Sequence, residues 1–263
     1  MEISGSTVLL TGATGGIGQA IARTLRGSGA DLIITGRRVE LLEPLAAELG
    51  ARALAVDLAD RSEVERLARE AGRVDILVAN AALPASGTLD SFSVEQLDRA
   101  LDVNLRAPIV LAHELLEPML ERGSGHLVFI SSLSGKATSP GTALYAASKF
   151  GLRGFAGSLR ADLHSSGVGV SSVLPGFIRD AGMFAEADVK LPPGVGTRTP
   201  QDVADGVVKA ITHNRGEVDV ASLQLRASTV FASLAPDLAQ RVARRVGSEQ
   251  VARDMAAGQR DKR

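Results

Sequence analysis

The stretch that most constrains this chain is Thr11–Gly18, TGATGGIG, because of what stands on either side of it. Residues 6–11 (STVLLT) read as a short apolar strand. After it, Ile17, Ile21 and Leu25, with Ala20 and Ala22, make a helical stripe that ends at Gly27 and Gly29. Strand, glycine-rich turn, then helix is the arrangement in which main-chain N–H groups and a helix N-terminus face an anion. Gly12 permits the tight turn, Gly16 lets a pyrophosphate approach the backbone, and Gly18 lets the helix pack closely on the sheet. A glycine trio alone also suits an ordinary turn. The flanking strand and helix point to a dinucleotide.

The β–α alternation continues down the chain. Residues 31–35 are a strand, Gly36-Arg37-Arg38 a turn, 39–49 a helix closed by Gly50, and 51–56 a third strand ending at Asp57-Leu58. An amphipathic helix over 60–72 precedes a fourth strand, 74–79, which runs into Asn80-Ala81-Ala82. Residues 93–120 read as one long helix with bends or ends at Pro108 and Pro118. On it Asn104 sits among Leu101, Val103 and Leu105, either a satisfied core amide or a site group. The fifth strand, 126–130, leads into Ser131-Ser132, and the sixth, 169–174, closes at Pro175-Gly176. Residues 179–198 break the rhythm and read as a loop or lid. A helix opened by Thr199-Pro200 and a final strand at 216–221 follow. The expected fold is a doubly wound α/β domain over 1–221, a parallel sheet of about seven strands with helices on both faces. Residues 222–263, rich in Arg and Ala with Pro236 and Gly247 as breaks, read as a C-terminal helical extension packed on or near it.

In such folds the end of the second strand meets the adenosine ribose. An acid there accepts bonds from a 2′-hydroxyl, whereas arginine suits a 2′-phosphate. Gly36 followed by Arg37 and Arg38 favours NADP(H), with NAD(H) as the alternative; a solvated turn would hold the same arginines.

Between the fifth and sixth strands a helical segment carries Tyr145, the only tyrosine, and Lys149 four residues on, so both share a face. A lysine about 5 Å from a phenol, at an effective dielectric near 20, stabilises phenolate by roughly 3 kcal/mol, or about 2 pKa units. That would bring the phenol toward general acid–base work. An idle surface pair is the plain alternative.

Composition narrows the classes. The absence of cysteine excludes disulfides, thiol nucleophiles and thiolate metal sites, and the formal charge of −1 argues against general nucleic-acid binding. The four histidines lie apart, without metal-ligand spacing, as surface or satisfied residues, so no metal is expected. No apolar run is long enough for a membrane span and Met1-Glu2 opens no signal peptide, which leads us to expect a cytoplasmic protein.

With these residues placed, the sequence resembles the short-chain dehydrogenase/reductase family, in its single-domain form, over about residues 4–221. The resemblance rests on TGATGGIG, Asp57-Leu58, Asn80-Ala81-Ala82, Asn104, Ser132, YAASK at 145–149 and Pro175-Gly176, in that order. It implies a Rossmann-type fold, a nicotinamide cofactor and hydride transfer to or from a carbonyl/alcohol pair. Tyr145 would act as acid or base, Lys149 would lower its pKa and bond the nicotinamide ribose, Ser132 would orient the substrate oxygen and Asn104 would hold a water in a proton relay. Ser131, the hydroxyl next door, would be structural. Gly12, Thr14, Gly15, Gly16, Ile17, Gly18, Arg37, Arg38, Asp57, Leu58, Asn80, Ala81, Pro175, Gly176 and Ile178, with Tyr145 and Lys149, would contact the cofactor. Family members commonly carry threonine near position 180, where this chain has Asp180. The family also implies a homodimer or homotetramer built through the helices that hold Asn104 and Tyr145.

Met183, Phe184, Val189, Leu191 and Val195 in the 179–198 loop suggest an apolar ketone or secondary alcohol as substrate. A non-catalytic nucleotide-sensing or scaffold protein would be expected to carry a broken Ser–Tyr–Lys set, and here the set is whole. A cofactor-using epimerase suits a longer chain. The Arg-rich tail could edge the substrate pocket or a dimer, or rest on a membrane surface or acidic partner.

Overall fold

Runs of Val, Leu and Ile too short for helices frame the molecule. In the computed structural model, which describes residues 1–187, 189, 191, 195–245 and 248–259, β1 (Thr7–Leu10), β4 (Ile76–Ala79), β5 (Gly125–Ile130) and β6 (Val168–Pro175) are buried almost throughout. Together with β2 (Asp31–Gly36), β3 (Arg52–Ala55) and β7 (Glu217–Val220) they form a parallel, 7-stranded sheet ordered β3-β2-β1-β4-β5-β6-β7. Parallel strands of this kind are covered on both faces, which explains their unbroken apolar character. Val8, Leu10, Ile34, Ile76, Val78 and Val173 enter one core with α1 (Gly16–Gly27), α2 (Val39–Leu49) and α8 (Pro200–Thr212). Their alternates Leu9, Ile33, Leu77, Leu127 and Phe129 enter the other with α3 (Arg61–Ala71), α5 (Ala107–Arg122) and α6 (Ala143–Asp162). This is the doubly wound α/β fold the alternation predicts. The strand order turns at β1, with β2 on one side and β4 on the other, and a crevice opens there at the carboxyl ends.

Local chemistry sets the element ends. The Asp60 side chain accepts from the Ser62 and Glu63 N–H groups to start α3, Thr199 and Asp202 close a capping box on α8, and Gly50 ends α2 at φ 58°.

The long helix predicted over 93–120 needs correction. A capping box of Ser93 and Gln96 starts α4 (Val94–Leu101), a π segment spans Asp102–Arg106, and α5 then runs to Gly123 at φ 62°. Neither proline ends the helix. The main-chain N–H of Ala107 reaches back five residues to the Asp102 carbonyl, so the register has already shifted where Pro108 offers no donor.

The loop 179–198 also holds more order than its composition suggests: α7 (Gly182–Ala185) lies within it, and Ile178 pairs with Arg198 at its base. Its residues 188, 190 and 192–194 lie outside the described residues. After β7 come α9 (Leu223–Leu234), α10 (Pro236–Arg245) and α11 (Ser248–Gly258). The break at Pro236 is as predicted, while Gly247 is not among the described residues. α11 returns to the body of the protein, with Ala252 beside Gly141 and Gly258 against Ala187.

Among the described residues no helix is long and apolar enough to cross a membrane, and no group of three potential metal ligands occurs. His113, His164 and His213 are exposed; His126 is buried between strands, its Nε2 2.8 Å from Ser171 Oγ.

Candidate active site

A cleft of ≈ 600 Å³ lies at the carboxyl ends of the strands, large enough for a small molecule or cofactor. Its floor is the glycine turn. Gly12 has φ +67°, and a Cβ there would lie 2.7 Å from Ala81 Cα, so the turn after β1 is pressed against the end of β4. A Cβ on Gly18 would collide with the Gly12 carbonyl, as expected of a helix packed tightly on its turn. The Thr11 hydroxyl accepts from the N–H groups of Asn80 (3.0 Å) and Ala81 (3.1 Å). In return Asn80 Nδ2 donates to the carbonyls of Thr11 (3.0 Å) and Gly12 (3.1 Å). Two segments distant in sequence are thereby tied into one surface. α1 is preceded by Gly15 as its N-cap and has neither a side-chain cap nor an acid in its first turn, which leaves its N–H groups for an anion. The space over Gly16 holds a neighbour the sequence does not announce, the Ala181 methyl from the segment before α7.

At the far end, Arg37 and Arg38 are exposed beside the end of β2, and neither makes an ion pair among the described residues. Asp57 faces the same end but is engaged with Arg99 Nη2 at 2.9 Å and the Ala59 N–H at 3.0 Å. Burial opposes its ionisation. The bonds from Ala59 and Arg99 and the charge of Arg37 outweigh it and hold the carboxyl below its ordinary value.

Ser132, Tyr145 and Lys149 converge at the other end, beside Pro175, Gly176 and Ile178. Ser132 Oγ accepts from the Ser134 N–H at 3.1 Å and reaches the Pro175 carbonyl at 3.4 Å, and its nearness to the Tyr145 phenol favours phenolate. The turn that presents Ser132 is fixed from below by Lys136, whose Nζ lies 2.7 Å from Asp219 and 2.9 Å from Glu217. Ser131 Oγ instead donates to the Lys149 carbonyl at 3.0 Å, a structural bond between β5 and α6. The Lys149 ammonium is 2% exposed, donates to the Ile130 carbonyl at 3.0 Å and lies 5.7 Å from the Tyr145 ring centre. No carboxylate pairs with it among the described residues. Burial pushes its pKa down to about 8. Tyr145 is half-buried and borders the cleft. Burial pushes the phenol up, and only Ser132 pulls it down. The lowering expected from lysine alone is therefore not the net outcome here.

Asn104 departs from expectation. It does not line the cleft, though its neighbour Val103 does. Its side chain is buried, accepting from the Leu83 N–H at 2.6 Å and donating to the Leu83 carbonyl at 3.0 Å. The other predicted contact residues, from Gly12 to Ile178, all border the cleft. Asp180 does not: it is exposed, has φ 70° and pairs with Arg179 at 3.4 Å. Of the apolar loop residues, Met183 and Phe184 reach the cleft, and α11 adds Met255, followed by Gln259, neither of which any motif flags.

Comparison with known proteins agrees with this arrangement. Residues 6–191 match the family model described as short chain dehydrogenase. The ketoacyl reductase HetN of Nostoc sp. is 36% identical over 227 residues, 83% of this chain and 79% of that protein. The 3-oxoacyl-(acyl-carrier-protein) reductase FabG of Rickettsia conorii is 37% identical over 181 residues, 68% of this chain and 75% of that protein. Among solved structures, a short-chain dehydrogenase from Sphingobium yanoikuyae in complex with NADPH superposes with a TM-score of 0.76 at 27% identity, covering 89% of this chain and 95% of that one.

Proposed function

Because this chain belongs to the short-chain dehydrogenase family and is an oxidoreductase of the nicotinamide-dependent kind, we propose that it reduces the carbonyl of an apolar substrate with NADPH, Tyr145 giving the proton. One observation carries the reading: a buried lysine with no carboxylate partner among the described residues stands beside a tyrosine and a serine, all at the cleft wall. A buried ammonium with one carbonyl acceptor has bonding capacity left for a ribose hydroxyl and a field that favours phenolate.

The residues present suit the cofactor. The glycine turn and the bare N-terminus of α1 suit a pyrophosphate, and Arg37 and Arg38, without an ion pair among the described residues, suit a 2′-phosphate. When bound, the nicotinamide supplies the hydride. The chain's part is to hold the carbonyl oxygen between Ser132 and Tyr145, to deliver the phenol proton as charge develops on that oxygen, and to stabilise the resulting phenolate with Lys149. Asn104 enters through its main chain: its side chain is engaged by Leu83, and the α-helical donor to its carbonyl would be Pro108, which has no N–H. A carbonyl without that donor is free to hold the relay water that the resemblance assigns to Asn104. The ketoacyl and 3-oxoacyl reductases among the relatives support 3-oxoacyl compounds as the first substrate class to assay, and Met183, Phe184 and Met255 give the wall its apolar character. A homodimer or homotetramer through α5 and α6 accords with the exposed Phe150 on α6.

The test is Tyr145→Phe. It keeps the ring and removes the proton, so turnover of a 3-oxoacyl substrate should fall at least about a thousandfold while NADPH still binds. Turnover near the wild-type rate would overturn the assignment.

A further inference from the structure

The last described residue holds a polar group that nothing in the reaction above uses. Gln259 follows α11, is 1% exposed and lines the catalytic cleft. Its Nε2 donates to the Met183 carbonyl at 3.3 Å, whereas its Oε1 is buried with no hydrogen-bond partner among the described residues. Turning the amide over would set its oxygen against the Met183 carbonyl, acceptor against acceptor, so the oxygen is the orphan end. Nor is the residue left dangling. A Cβ on Gly258 would lie 2.6 Å from Ala187 Cα, which clamps the end of α11 against the segment after α7. Buried acceptors without donors are rare because each gives up its bonds to water. Met183, Phe184 and Met255 line the same cleft, and their side chains have no N–H or O–H to give.

We infer that Gln259 is a ligand-recognition residue: its Oε1 accepts a hydrogen bond from an N–H or O–H group of the molecule bound in the cleft. Two ligands can bring such a donor, the carbonyl substrate through a hydroxyl or amide group and the cofactor through the nicotinamide carboxamide. The inference rests on the reductase reading and adds a polar requirement to an otherwise apolar pocket.

The experiment uses the full chain carrying Gln259→Met, which keeps length and removes the acceptor. Two paired 3-oxoacyl substrates, one with an amide N–H and one N-methylated at that atom, are compared by kcat/KM, and the Kd for NADPH is measured by titration. A fall of about tenfold in the preference for the N–H substrate supports the proposal with the substrate as donor. A rise of about tenfold in the Kd for NADPH with an unchanged preference supports it with the carboxamide as donor. Gln259→Asn retains both the donor to Met183 and the acceptor and should keep more of whichever property the methionine variant loses, also serving if that variant does not fold. A merely structural role lowers kcat/KM for both substrates alike and leaves preference and Kd unchanged, which overturns the proposal. Wild-type chain that turns over no carbonyl substrate but binds NADPH would refute the reductase reading instead, and an unchanged Kd in the variant would then overturn this proposal as well.

Discussion

Tyr145 and Lys149 show how far two residues can be understood from their spacing. Four residues of helix put phenol and ammonium on one side, and the structure agrees, with 5.7 Å between Nζ and the ring centre. Spacing could not give the cost of enclosure. Burial penalises phenolate and ammonium separately, so the phenol rises and Lys149 falls to about 8. The sign for function follows. Lys149 works protonated, and its proton is lost as pH rises through about 8, well before the ordinary 10.5. kcat/KM for NADPH, which reports groups of the free enzyme, should therefore fall about tenfold per pH unit above that point; a profile flat to pH 10 would contradict it. At the other end of the cleft, Arg37→Ala should raise the KM for NADPH about tenfold and leave that for NADH nearly unchanged, because only the former carries the 2′-phosphate. Steady-state kinetics with both nucleotides checks this, and an unchanged ratio would sink the NADP(H) preference.

Between elements, polar bonds hold the sheet and the site in register. His126 on β5 meets Ser171 on β6, and burial, with the positive charges of the N-terminus and Arg160, pushes its pKa down to about 4. The unfolded chain takes up this proton near 6.5 and the native one only near 4. Stability is thus fully present above 6.5 and declines as pH falls toward 4, by about 3 kcal/mol in all. Chemical denaturation from pH 7 to 4.5 should show this loss, and His126→Asn should flatten it. The π segment is the second device. It carries Asn104 to Leu83 and fits Pro108 into a continuous helix. The sequence contained both residues, yet a proline in a helical pattern reads as an end unless the register shift is known.

At the scale of the molecule, α11 joins distant pieces of chain: Ala252 lies beside Gly141, Gly258 against Ala187 and, just after the helix, Gln259 on Met183. The sheet and both its cores are complete without α11. Ending the chain at residue 247 should therefore preserve cooperative unfolding and raise the substrate KM about tenfold, through loss of the Met255 and Gln259 walls. Thermal melts and kinetics on the shortened chain check both halves, and an unchanged KM would place α11 outside substrate binding.

Sequence alone determined what depends on neighbours along the chain. The doubly wound alternation, the glycine turn, the Tyr145–Lys149 face and the arginines after β2 are all local patterns of period, cap and turn, and local patterns survive in a linear string. Tertiary structure decided what depends on approach between remote segments: that Thr11 and Asn80 bind each other's backbones, that Asn104 turns to Leu83, that Ala181 covers Gly16, and that Gln259 comes to the cleft. It also decided that burial raises the Tyr145 phenol. Distance along a helix fixes how near Lys149 comes, but only the packing of everything else fixes how much water is removed, and at the phenol that burial outweighs the pull of Ser132.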